Sequence, residues 1–205
     1  MSSKNIAVIN LGTSNLRSIF SACKYLDFEP ILVEGGKNLS SFSCAILPGV
    51  GAFNHAAERI KKLDLEYSIK NFIKSGKPFL GICLGMQLLL SKSEEFGETE
   101  GLNIIKGNVK KFHSKKIHIG WSQVKVLRKQ KLLKDEDFMY FVHSYYVDLV
   151  DKKNALTNTN FDNNEFCSSF IYENILACQF HPEKSGPSGL NLLKKFISQE
   201  YNYYD

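Results

Sequence analysis

Several features are missing from this 205-residue sequence. It holds five cysteines, an odd number, and none falls in a Cys-x-x-Cys spacing. A disulfide framework or a zinc site is therefore not expected, and a reducing, cytoplasmic setting is. No apolar run approaches the ~20 residues that a spanning helix needs. The start, Met1-Ser2-Ser3-Lys4, leads straight into a strand pattern and has no signal-peptide character, so no membrane association is expected. The net charge is +5, but the basic residues are scattered as pairs such as Lys61-Lys62, Lys110-Lys111 and Lys194-Lys195. Without a long basic run or an interleaved aromatic comb, no nucleic-acid partner is indicated. Repeats and low-complexity segments are absent too. What remains is 43% hydrophobic and 12% aromatic, enough for one compact domain over residues 1–205.

The hydrophobic pattern alternates between strand and helix. Asn5 to Asn10 reads as a buried strand, and Leu16 to Leu26 has helical spacing. Pro30 to Val33 is a second strand, closed by Glu34-Gly35-Gly36, and Cys44 to Leu47 a third, followed by Pro48-Gly49-Val50-Gly51. Ala52 to Ser75 predicts two helical pieces broken near Leu63-Asp64. Strand, helix, strand in this order argues for a parallel sheet with helices on its faces, whose ligands sit at the carboxyl ends of the strands. Beyond a polar loop at 91–97, the pattern over 101–127 turns to alternation, as expected of antiparallel strands at a sheet edge or in a flap. Phe138 to His143, Ala155 to Thr159, Cys167 to Tyr172 and Ile175 to Phe180 read as further strands, with Asn160 to Asn164 as a turn. Gly189 to Tyr201 predicts a terminal amphipathic helix, and the Tyr-rich end a frayed tail. The fold class is α/β: a mostly parallel central sheet with flanking helices plus a small antiparallel flap.

One stretch organises the rest: Pro78-Phe79-Leu80-Gly81-Ile82-Cys83-Leu84-Gly85-Met86-Gln87. An apolar strand runs into good helix formers, with a cysteine between two glycines at the switch. A backbone that turns back on itself there has no room for Cβ atoms. The turn lifts the sulfur out of the sheet to a helix N-terminus, where unpaired N–H groups favour negative charge. The N–H of Leu84 points toward the same space, as half of an oxyanion hole. Most free cysteines are small buried hydrophobes. Cys23, Cys44, Cys167 and Cys178 read that way, but the flanking glycines set Cys83 apart.

A nucleophilic thiol needs a base, and the base an orienting group. Of five histidines, His181 follows a buried strand and precedes Glu183 by two residues, with Pro182 fixing the turn. Alternate residues past a strand end reach one pocket, so Glu183 can hold the imidazole while the ring faces Cys83.

Gly81-Ile82-Cys83-Leu84-Gly85-Met86-Gln87 together with His181-Pro182-Glu183 resembles the class I, triad-type glutamine amidotransferases. Within them, several stretches resemble the glutaminase subunits of imidazole glycerol phosphate synthases. They are Leu47 to Phe53, Asn15-Leu16-Arg17-Ser18, His118-Ile119-Gly120-Trp121, Tyr140 to Tyr145 and His181 to Gly186. The resemblance spans essentially the whole chain and implies a flavodoxin-like sheet without metal or cofactor. By it, Cys83, His181 and Glu183 are catalytic, and the N–H groups of Val50 and Leu84 hold the oxyanion. Gly51, Gln87, Glu95, Ser144 and Tyr145 bind glutamine. Trp121, Tyr140 and Lys184 face a (β/α)8-barrel cyclase subunit, the partner in a heterodimer that receives the ammonia for a histidine-pathway step; Lys184 is placed to form an ion pair beside the ammonia exit.

Two positions depart from the family pattern: Ser14 stands where a glycine is usual, and Ser122 where an asparagine is usual. Both lie outside the triad and bear on the acceptor rather than on glutamine hydrolysis. A second reading therefore keeps the glutaminase and changes the acceptor to a sugar amidotransferase of surface-glycan synthesis. A stand-alone cysteine hydrolase is disfavoured by Pro48-Gly49-Val50-Gly51 and Gln87, and a silent binding module by the complete triad.

Overall fold

The computed structural model describes residues 4–12, 16–35, 38–113 and 116–200. Ser14 and Asn15 of the first loop, Gly36, the N-terminal residues 1–3 and the tail from Tyr201 onward lie outside the described residues. The elements in chain order are β1 (Asn5–Ile9), α1 (Leu16–Tyr25), β2 (Glu29–Val33), β3 (Cys44–Gly49), α2 (Phe53–Lys62), α3 (Leu65–Lys74), β4 (Phe79–Cys83), α4 (Leu84–Leu88), β5 (Lys92–Ser93), β6 (Thr99–Glu100), β7 (Gly107–Lys111), β8 (His118–Gln123), β9 (Lys125–Val126), β10 (Phe138–His143), β11 (Tyr145–Leu149), β12 (Ala155–Phe161), β13 (Asn164–Tyr172), β14 (Ile175–Cys178) and α5 (Gly186–Ser198).

β2, β1, β3, β4 and β14 lie side by side and parallel. From β14 the sheet continues through β13, β11 and β7 by antiparallel pairing and ends in the short β5 and β6. β3 and β4 are buried along their whole length, because helices cover both faces. The pleat sends Ala7, Ile9, Ala45, Leu47 and Phe79 to one face, against Phe53, Ile60, Leu65, Ile69 and Phe72 of α2 and α3. Ile6, Val8, Ile46, Leu80 and Ile82 go to the other, against Ile19 and Cys23 of α1 and Leu192, Phe196 and Ile197 of α5. β8 and β10 form a separate two-stranded antiparallel sheet, the expected flap.

The strand and helix assignments agree with the sequence pattern through Cys83, including the break between α2 and α3. The differences lie further on. β11 follows β10 after a single residue, where the sequence reads as the end of a strand; only its Val147 and Leu149 are buried, so its alternation is weak. The polar loop at 91–97 contains β5, held parallel to β7. The turn between β12 and β13 narrows to Asp162-Asn163, both at positive φ (50° and 62°), as a two-residue hairpin of matching twist requires. β14 stops at Cys178, and α5 begins three residues before the expected start, with Pro187 in its first turn.

The elbow rests directly on β3. A Cβ at Gly85 would lie 1.7 Å from the Leu47 carbonyl oxygen, so the first turn of α4 has no clearance for a side chain. The flap is sealed differently. His118 and His143 face each other across β8 and β10, exposed by only 2% and 7%. The His118 ring stacks on Phe141 at 4.6 Å and on Phe161 at 4.3 Å. Burial pushes His118 down to about 4. It pushes His143 down to about 3, and the bond to the Tyr145 carbonyl offsets only part of that.

Two outcomes follow for stability. Gly85→Ala should destabilise the chain by about 1–3 kcal/mol or more, because backbone must move to admit the methyl, and urea denaturation would read it. Both flap histidines bind a proton less readily when folded than when unfolded. Their contribution is therefore complete above pH 6.5 and lost as the pH falls from 6.5 toward 4. At about 1.4 kcal/mol per pKa unit, the urea midpoint should drop clearly between pH 7 and pH 4.5, and less so in His118→Phe.

Candidate active site

Three parallel strands end at one place. In register, Gly49 of β3 pairs with Cys83 of β4, and Ile82 of β4 with Cys178 of β14. At Cys83 the backbone takes φ 54° and ψ −108°, a conformation that non-glycine residues avoid. α4 begins at the next residue, so the Leu84 N–H stands at the first turn beside the sulfur. The Cys83 thiol points to the Val142 carbonyl at 3.9 Å, and its sulfur accepts a hydrogen bond from Gln179 Nε2 at 3.5 Å.

His181 lies just past β14. Gln179 keeps the chain beside β13 through its N–H to the Ser168 carbonyl, and the His181 N–H bonds the Tyr140 carbonyl at 2.9 Å. Pro182 then opens a single 3-10 turn that brings Glu183 under the ring. His181 Nδ1 meets Glu183 Oε1 at 2.8 Å, and both side chains are nearly fully buried. A carboxylate accepts only, so Nδ1 carries a proton, and among the described residues Nε2 is left without a hydrogen-bond partner within bonding distance. Burial opposes the imidazolium, but the Cys83 sulfur and then the Glu183 carboxylate outweigh it and raise His181 to about 10.

Beside the sulfur is a cleft of about 330 Å³, lined by Val50, Gly51, Cys83, Leu84, Gln87, Glu95, Ser144 and Tyr145, with Ile117, Val142 and His143. All the residues expected to hold the oxyanion and glutamine thus meet on one wall or another. Two of them also have internal partners. Gln87 spends its amide N–H groups on the Tyr145 carbonyl and on Gln179 Oε1, both at 3.0 Å, which leaves its oxygen for a ligand. Glu95 Oε2 accepts the N–H of Phe53 at 2.7 Å and so caps α2, whose N-cap residue Ala52 has no side chain to do it.

Sequence reasoning missed Gln179, His143 and His118. Gln179 was read as ordinary strand, and the two histidines as parts of motifs without a role. Trp121, Tyr140 and Lys184 sit apart from the cleft. Trp121 is 54% exposed, so it is not a core residue, and its ring meets Tyr140 edge-on at 6.0 Å. Lys184 Nζ lies 5.9 Å above the Tyr140 ring. The other cysteines match their reading as inert: burial raises Cys23 and Cys167 to about 12 and drives Cys44 and Cys178 higher. Among the described residues no cluster of His, Cys, Asp and Glu could hold a metal, and no helix is long and apolar enough to cross a membrane.

The family model for glutamine amidotransferase class-I matches residues 7–199. An imidazole glycerol phosphate synthase subunit HisH of Caldanaerobacter subterraneus subsp. tengcongensis is 44% identical over 196 residues, covering 93% of this chain and 96% of the relative. The subunit of the same name from Aquifex aeolicus is 44% identical over 195 residues, covering 92% and 94%. Among solved structures, PurLQS from Thermotoga maritima superposes with a TM-score of 0.79 at 18% identity over 97% of this chain and 99% of that one. A glutamine amidotransferase superposes with a TM-score of 0.75 at 17% identity over 95% and 98%. These structural likenesses bear on the fold, and the sequence relatives on the family: the chain belongs to the class-I glutamine amidotransferases, among the HisH subunits of imidazole glycerol phosphate synthase.

Proposed function

We propose that this chain is a single-domain, cytoplasmic glutaminase subunit that hydrolyses glutamine through Cys83, His181 and Glu183 and hands the ammonia to a cyclase subunit. The observation that carries the reading is a strained Cys83 on the wall of the cleft whose sulfur acts on the buried His181–Glu183 pair behind it. Cys83 attacks the side-chain amide carbon of glutamine, and its thiol proton passes to His181 Nε2. The oxyanion is held by the N–H groups of Leu84 and Val50, each such donor being worth about 10²–10³ in rate. His181 returns the proton to the departing nitrogen, which leaves as ammonia, and a γ-glutamyl thioester remains on Cys83. Water, deprotonated by His181, then releases glutamate. Glu183 keeps the imidazole oriented and offsets its charge throughout. Gly51, Gln87 through its oxygen, Glu95, Ser144 and Tyr145 grip the glutamine.

The surface around Trp121, Tyr140 and Lys184 faces the partner, a (β/α)8-barrel cyclase in a heterodimer. The ammonia enters the imidazole glycerol phosphate reaction of histidine synthesis there. Kinship with HisH subunits at 44% identity favours this acceptor over a sugar amidotransferase. Glutamate release should be strongly stimulated by the cyclase barrel with its ribotide ligand and abolished in Cys83→Ala. Hydrolysis that ignores the barrel would move the acceptor elsewhere, and a Cys83→Ala variant that kept its activity would end the glutaminase reading. Glu183→Gln should lower kcat by about 10²–10⁴ without unfolding the chain, read as glutamate release beside a thermal melt.

A further inference from the structure

A chain of side-chain hydrogen bonds runs from the flap to the glutamine cleft. Ser122 Oγ lies 2.8 Å from His118 Nε2, His118 Nδ1 lies 3.0 Å from His143 Nε2, and His143 Nδ1 lies 2.8 Å from the Tyr145 carbonyl oxygen. The same carbonyl accepts Gln87 Nε2 on the cleft wall.

Chemistry fixes the direction of this chain. A carbonyl oxygen can only accept, so His143 Nδ1 carries the proton. Burial keeps both rings neutral well below pH 7. In a neutral imidazole one nitrogen donates and the other accepts, so His143 Nε2 accepts and His118 Nδ1 donates. His118 Nε2 must then accept, and the Ser122 hydroxyl must donate. Each member has one permitted orientation, set by its neighbour. The first link also needs a particular backbone. Residues four apart on a straight strand are separated by about 13 Å. Gly120, between them at φ +127°, gives β8 the bend that lets Ser122 reach the ring.

We propose that Ser122, His118 and His143 are positioning residues for the glutamine cleft: their one-way hydrogen-bond relay fixes the Tyr145 carbonyl and, through it, the Gln87 amide. This rests on the cleft being the glutamine site. If the Ser122 donor is lost, His118 Nε2 is left as a buried acceptor with nothing to donate to it, and the outer end of the relay is no longer anchored. The direction set by the Tyr145 carbonyl remains, but the two rings are free to shift together and carry that carbonyl with them. The wall loses its fixed shape while the nucleophile, the base and the oxyanion donors stay in place. Ground-state and transition-state binding weaken together, so the effect falls on KM rather than kcat.

Two measurements test this on the full chain. The first is the imidazole ¹⁵N spectrum of histidine-labelled protein between pH 6 and 8. Both His118 and His143 should be neutral with the proton on Nδ1; an Nε2–H tautomer or a charged ring at either position overturns the relay. The second is glutamine kinetics with the cyclase barrel and ribotide present. Ser122→Ala should raise KM about three- to tenfold, the worth of one neutral hydrogen bond, with kcat within about twofold. Ser122→Thr, which keeps the hydroxyl, should restore KM. An unchanged KM in a folded Ser122→Ala chain, or an equal rise in Ser122→Thr, overturns the proposal. If the unaltered complex releases no glutamate, the glutaminase reading has failed instead, and the ¹⁵N spectrum still decides the relay.

Discussion

The site depends on how closely the elbow is pressed against the neighbouring strand. Where β4 passes into α4 there is no room for a side chain at Gly85, because a Cβ there would run into the Leu47 carbonyl of β3. The turn must be completed within one residue, and that residue is Cys83, held at φ 54°. A non-glycine residue there costs on the order of 1–3 kcal/mol. The cost is borne by the surroundings: Phe79, Leu80 and Ile82 on one side of it and Met86, Leu88 and Leu89 on the other are wholly inaccessible to solvent. A looser core would let the cysteine relax into ordinary strand geometry and withdraw the sulfur from the cleft. Thus the hydrophobic burial of the parallel half of the sheet is what holds Cys83 in its strained conformation.

The buried histidines show how much one neighbour decides. His181, His118 and His143 are all nearly inaccessible, and burial pushes each toward the neutral form. Only His181 has a carboxylate on one ring nitrogen and a sulfur acting on it as well, and only His181 moves upward. The other two have a carbonyl, a hydroxyl and each other as partners. The chain thus keeps one histidine ready to carry a proton and two that are confined to donating and accepting hydrogen bonds without changing charge.

The legible part of the site was the local part. Gly81-Ile82-Cys83-Leu84-Gly85 and His181-Pro182-Glu183 each contain their own geometry within a few residues, so spacing and residue type were enough. The strand-helix alternation before Cys83 was readable for the same reason: buried parallel strands and amphipathic helices have strong periods. Gln179, His118 and His143 were not readable, because their roles come from partners distant in sequence. Gln179 meets Cys83 across 96 residues, and His118 meets His143 only through the β8–β10 register. Tyr145-Tyr146-Val147-Asp148-Leu149 hid as a strand because its half-buried tyrosines blur the alternation. Glu95 is singled out for glutamine by the resemblance alone, and its cap on α2, from 42 residues away, is not visible in the sequence.

The flap strand β8 joins two surfaces that the sequence presents as unrelated. Its residues alternate between faces: His118 and Ser122 turn inward, while Ile119 and Trp121 are exposed. Trp121 and Ser122 are adjacent, so the exposed outer face of β8 and the inner relay meet on consecutive residues. At Gly120, φ +127°, a side chain would meet nothing within 4 Å, so the glycine is there for its backbone angle and not for want of space. The elbow, by contrast, has no slack at all, with its glycines packed against carbonyl oxygens. The two sides of the cleft are therefore packed differently: Cys83 sits on closely packed parallel strands, and the opposite wall is tied to a strand whose outer face is open.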